Sequence, residues 1–132
     1  MCVSATGPTS SDSIFVGPFY EVDAPAVYTN YRTSAINAAA PGGNVGGFVW
    51  AECSPTSLVV PFSQSGSRII GLESTSMASP HVAGLAALVV EDVGRNPGRV
   101  KTIIANAADD LGKKESDPYY GKGRINVANA VL

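Results

Sequence analysis

Short apolar runs recur along the first half of the chain, at Met1–Ala5, Ala35–Ala40, Gly47–Cys53, Leu58–Phe62 and Arg68–Leu72, each bounded by Gly, Pro, Ser or Asn. Runs of this length between turn-forming residues predict β-strands. Met77–Val90 breaks the pattern. Ala78, Val82, Ala83, Leu85, Ala86, Leu88 and Val89 leave almost no polar face, which predicts a helix buried on every side rather than an amphipathic one. Pro80 confines the start of that helix to the neighbourhood of Ser76, because proline is tolerated only near a helix's first turn. A second helix is predicted from Pro97 to about Ala108, with Pro97 in the first turn and Val100, Ile103, Ile104 and Ala107 on one face. Strands followed by helices, one of them fully buried, predict an α/β domain with layers on both sides of a sheet. The first strand starts at Met1 itself, which predicts an unprotected edge or face and a chain cut from something larger.

Composition narrows the classes. The 132 residues are 45% hydrophobic and 15% charged, which argues against a disordered chain. A net charge of −2 supplies no basic field for nucleic acid or an anionic membrane. The longest apolar run, Val82–Val90, is nine residues, against the ~20 a membrane span needs. Met1–Ser13 has neither the basic nor the apolar region of a secretory signal. Charge is unevenly placed: seven charged side chains fall in residues 1–90 and thirteen in 91–124, which predicts a buried first part and a solvated later one. Cys2 and Cys53 have neither disulfide-framework nor zinc-site spacing and read as two small hydrophobes, a bridge between them staying open.

Chemistry concentrates in Ser74-Thr75-Ser76-Met77-Ala78-Ser79-Pro80-His81-Val82-Ala83-Gly84. A serine at the start of a helix is either a cap for the free N–H groups of the first turn or a nucleophile beside them. A serine nucleophile needs a base within about 2.6–3.2 Å. The single histidine, His81, lies five positions after Ser76, about 140° around and about 7.5 Å along a helix, out of reach of the Ser76 hydroxyl. Lys101, Lys113, Lys114 and Lys122 all lie in the charged segment. The residues here do not complete a Ser-His-Asp triad.

The same stretch resembles the nucleophile motif of the subtilisin-like serine peptidases, Gly-Thr-Ser-Met-Ala-Ser/Thr-Pro-His-Val-Ala-Gly, differing only at Ser74. Ala35-Ile36-Asn37-Ala38-Ala39-Ala40-Pro41-Gly42 is similar to that family's Ala-Pro-Gly strand end. Asp109-Asp110-Leu111-Gly112, followed by Tyr120-Gly121-Lys122-Gly123-Arg124-Ile125-Asn126-Val127, is similar to its closing segment. Only Gly47–Gln64 matches poorly. The resemblance implies that residues 1–132 are the C-terminal part of a doubly wound, mostly parallel catalytic domain with a buried nucleophile helix. It makes Ser76 the nucleophile and the Ser76 N–H an oxyanion donor. No cofactor and no metal-binding residue is assigned from the sequence, and calcium binding stays open. The family's Asp, His and oxyanion Asn precede the serine motif and have no counterpart here, so the chain alone is expected to be inactive and to fold marginally. Its expected partners are a protein or peptide substrate in the complete enzyme and a complementing N-terminal part. The other reading is a non-catalytic remnant or binding fragment that associates with another chain. Family members are mostly secreted. The sequence departs from the family at Ser74, at Glu73 three residues before Ser76, and at Arg32, where Tyr-Gly is expected.

Weaker constellations point elsewhere. Asp109, Asp110, Glu115 and Asp117 lack EF-hand spacing and read as a solvated loop. Gly42-Gly43 and Gly46-Gly47 are not followed by a phosphate-loop signature. Phe19, Tyr20, Tyr28 and Tyr31 read as loop-packing aromatics rather than base-stacking ones.

Overall fold

A computed structural model of the chain describes residues 1–53 and 68–131. Strand β1 (Val3–Thr6) is followed by two short strands, β2 (Ser10–Ser11) and β3 (Phe19–Tyr20), then by β4 (Ala38–Pro41), β5 (Val49–Cys53) and β6 (Arg68–Leu72). Three helices complete the chain: α1 (Thr75–Val93), α2 (Pro97–Ala107) and α3 (Val127–Val131). The predicted strand at Leu58–Phe62 lies outside the described residues, as does the Cys53 side chain, while Cys2 is exposed. No helix among the described residues is long and apolar enough to cross a membrane.

β1 and β4 pair in parallel, Val3 opposite Ala38 through Thr6 opposite Pro41. The closing segment extends that pair, because Ala39 N–H donates to Gly123 O and Ile125 N–H to Ala39 O, both at 2.9 Å. Arg124 then exchanges backbone hydrogen bonds with Asp109 at 2.8 and 3.0 Å. The remaining pairs, β2 with β3 and β5 with β6, are antiparallel. The arrangement is α/β, a parallel pair carrying helices. The outer edge of β1 is not bare at its C-terminal end. Gly7 N–H donates to Ala24 O at 3.0 Å, Ala26 N–H to Ala5 O at 2.9 Å, and Ala5 N–H to Thr29 Oγ1 at 2.9 Å. Loop residues cover the edge there, so of the expected unprotected edge or face, the open edge is not met at this end of β1.

Helix α1 joins two cores. Its N-terminal half sets Ala78 and Val82 against Ala5, Ala26 and Ala40, and these small side chains let helix and sheet approach closely. Its C-terminal half packs Leu85 and Val89 against Val100 and Ile104 of α2. Asn96 caps α2, its side chain accepting from Arg99 N–H at 3.0 Å, and Pro97 occupies the first turn as expected. Helix α1 ends at Gly94, whose φ of 78° lies in the left-handed region that glycine adopts without penalty.

The expectation of a helix buried on every side is not met. Ala78, Val82, Leu85 and Val89 recur at spacings of four, three and four and form one buried face. Ala83, Gly84, Ala87 and Leu88 are exposed, Leu88 at 48%. The sheet, α2 and α3 lie on one side of α1, and its other apolar side has no cover among the described residues. Leu85→Ala should therefore cost about 2–5 kcal/mol of unfolding free energy, whereas Leu88→Ala should stay within about 0.5 kcal/mol. Urea unfolding followed by circular dichroism checks this contrast, and equal losses at the two positions would contradict it.

Candidate active site

Ser76 is the second residue of α1 and is exposed. The cap of the helix is Ser74, not Ser76: the Ser74 Oγ accepts from the Ser76 N–H at 3.0 Å. The Ser74 carbonyl accepts from Met77 N–H at 2.9 Å, so the first turn closes on that residue. Pro80 sits in the second turn, and its missing N–H is the one that would have donated to the Ser76 carbonyl. Ser74 has φ −178° and ψ 157°, an extended conformation open to any residue, which is why a side chain is accommodated at this position.

An open concavity of about 610 Å³ lies over Ser76, lined by Met1, Val3, Thr75, Ser79 and Pro80. Among the described residues, no ionisable side chain belongs to that lining. His81 is exposed, and its Nδ1 bonds the Met77 carbonyl oxygen of its own helix at 2.8 Å. A carbonyl accepts only, so Nδ1 carries the proton in that bond. Lys101 and Lys122 line a separate pocket of about 320 Å³ with Asn37 and Asn106. The structure thus places Ser76 in an open groove and brings neither the histidine nor these lysines to it.

The position of Ser74 is set by Gly42, at the end of β4. Ser74 N–H donates to Gly42 O at 2.9 Å. The same oxygen accepts from the Tyr28 hydroxyl at 2.8 Å, and that hydroxyl also reaches Gly43 O at 2.7 Å. A Cβ on Gly42 would stand 2.6 Å from the Ala5 Cβ and 2.8 Å from Ser74 O, so glycine is required by this close approach. Burial, reinforced by the charge of Glu73, pushes the Tyr28 hydroxyl up to about 12. Tyr28 is therefore more than a loop-packing aromatic, and nothing in its sequence context distinguishes it from Tyr31, which stacks on Tyr119 with ring centroids 5.0 Å apart.

The acidic segment is not simply solvated. Asp117 is buried, and its carboxylate accepts backbone N–H bonds from Lys113 at 3.0 Å, Tyr119 at 2.7 Å and Tyr120 at 3.2 Å. Burial raises its proton affinity, and these three donors outweigh that effect and hold it below the ordinary value. Asp109 accepts from Asn126 Nδ2 at 2.9 Å and from Arg124 at 2.7 Å, which hold its carboxyl low in that order. Arg124 also grips Asp23 through both carboxylate oxygens, at 2.5 and 2.6 Å. These carboxylates knit the closing segment to the loop before β4.

Comparison with known proteins decides the relationship. The Subtilase family profile matches residues 4–123. The chain belongs to the Subtilase family. Among its relatives is the thermophilic serine proteinase of Bacillus sp. (strain AK1), 34% identical over 125 residues, a match covering 94% of this chain and 26% of that protein. Another is thermitase of Thermoactinomyces vulgaris, 32% identical over 122 residues, covering 92% and 37%. The chain therefore spans about a quarter to somewhat over a third of the length of these subtilases. A solved protease structure from Pseudoalteromonas arctica PAMC 21717 shares the fold with a TM-score of 0.70 at 24% identity, over 98% of this chain and 34% of that one.

Two outcomes follow for this subtilase chain. A Tyr28 hydroxyl with raised proton affinity stabilises the fold below pH 10 and loses that contribution as pH rises through about 12. Tyr28→Phe should cost about 1 kcal/mol near neutral pH and flatten the alkaline loss, read from melts across pH 9–12. An unchanged alkaline slope would contradict it. Asp109, held low, contributes stability above its ordinary value of 3.8 that disappears as pH falls below it. Acid unfolding of Asp109→Asn should begin from a less stable state and depend less steeply on pH below 4. An identical acid profile would contradict that.

Proposed function

We propose that this chain is the nucleophile-bearing, C-terminal part of a subtilisin-like serine endopeptidase domain, doubly wound around a mostly parallel sheet. Ser76 is the nucleophile in this reading, and the base, its Asp partner and the oxyanion Asn come from outside residues 1–132. The observation that carries it is the exposed Ser76 at the first turn of α1, in an open groove whose lining holds no ionisable side chain among the described residues. In the reaction, the Ser76 Oγ bonds to a peptide carbonyl carbon as its proton passes to the external imidazole. The carbonyl π pair moves onto oxygen, held by the Ser76 N–H and the external Asn. Collapse expels the amine, which takes the proton, and water then releases the acyl group by the same route in reverse.

The uncovered side of α1 supports the same reading. Gly84 lies mid-helix, where glycine costs roughly 0.5–1 kcal/mol relative to alanine, yet no described residue stands within 4 Å of a Cβ built there. Beside it Met1, Val3, Val82, Ala83 and Ala86, with Ser79, line a mainly apolar concavity of about 260 Å³. A missing side chain and an apolar lining suit a surface against which other backbone packs closely. A binding fragment that pairs with another chain without catalysis would use the same surface.

Mixing the chain with a subtilase segment that carries the Asp, His and oxyanion Asn separates the two. Recovered cleavage of a fluorogenic peptide, absent from either part alone and abolished by Ser76→Ala, is the expected result. Stable association without cleavage would instead establish the binding reading.

A further inference from the structure

The Ser76 N–H, an oxyanion donor in the reading above, is already engaged. It donates to the Ser74 Oγ at 3.0 Å, and the extended Ser74 backbone is fixed by its own N–H to Gly42 O at 2.9 Å. An N–H aimed at one acceptor cannot point equally well at another, so a carbonyl oxygen developing charge beside Ser76 has to displace the cap. We infer that Ser74 is a positioning residue that restrains catalysis: its hydroxyl competes with the substrate oxygen for the Ser76 N–H and must rotate away before that donor serves the transition state. This inference rests on Ser76 being the nucleophile.

The restraint is confined to one torsion. Rotation about the Ser74 Cα–Cβ bond frees the N–H and leaves the Gly42 contact and the Met77 N–H to Ser74 O bond, at 2.9 Å, in place. Glycine has no competing hydroxyl, and as a helix cap it is only slightly poorer than serine. Ser74→Gly therefore frees the donor without removing the start of α1. Breaking one neutral hydrogen bond in the activated complex corresponds to about a fivefold loss in turnover. Glu73, directly before Ser74, keeps a carboxylate near this site in both variants and does not account for a difference between them.

Two measurements test the inference. In the chain alone, amide hydrogen exchange at Ser76 should be about fivefold faster in Ser74→Gly than in the native protein, with Val82 and Leu85 unchanged. Equal exchange at Ser76 would overturn the inference. In the chain combined with the Asp-, His- and Asn-bearing segment, Ser74→Gly should raise kcat about fivefold at unchanged KM, and Ser74→Thr should stay near the native value. An unchanged or lower kcat for Ser74→Gly, with cleavage still abolished by Ser76→Ala, would overturn the inference and leave the nucleophile assignment standing. Cleavage that survives Ser76→Ala, or none in any variant, would remove that assignment and the inference with it.

Discussion

One carbonyl oxygen, that of Gly42, holds the candidate site together. It accepts from the Ser74 N–H and from the Tyr28 hydroxyl, and so ties the end of β4 to the start of α1. A helix whose cap residue is anchored to a strand end has its free N–H groups aimed at a fixed point. Ser76 inherits that point, because it is two residues from the anchor. Removing the space for this contact, by adding a side chain at Gly42, would displace both the helix start and Ala5 beneath it.

The same helix carries the fold's energetic weight. Ala78 and Val82 close the sheet, and Leu85 and Val89 close the helical layer, so one face of α1 serves both cores. The opposite face is nearly as apolar but has no cover among the described residues, with Leu88 half exposed and Gly84 meeting none of them. Burial of apolar surface is what stabilises a domain of this size. A helix offering two apolar faces and covering one has a lower stability than its sequence would support, in accord with the proposed role as part of a larger catalytic domain.

Local patterns made much of this legible before any coordinates. The α2 boundaries followed from Pro97 and the Val100–Ile104 spacing, and four of the strand runs appear near their expected places because turn residues bracket them. Periodicity could not reveal which side of α1 would be covered, since a segment apolar all round carries no directional signal. The cover on the C-terminal end of β1's outer edge is not legible in the sequence, because its partners are loop groups, Ala24, Ala26 and Thr29, about 20 residues away. Asp117 looked solvated for a related reason: burial of a carboxylate by backbone N–H groups leaves no trace in residue type. At the site, the motif located Ser76 but not the roles of Tyr28 or Gly42, which arise only from their meeting in space.

The central proposal is that Ser76 is a nucleophile whose activating base comes from outside residues 1–132. Intact-mass spectrometry after incubation with a fluorophosphonate tests it most directly. The account predicts no adduct on Ser76 in the chain alone over times that suffice for an intact serine protease. Rapid single labelling of the chain alone, abolished by Ser76→Ala, would contradict it.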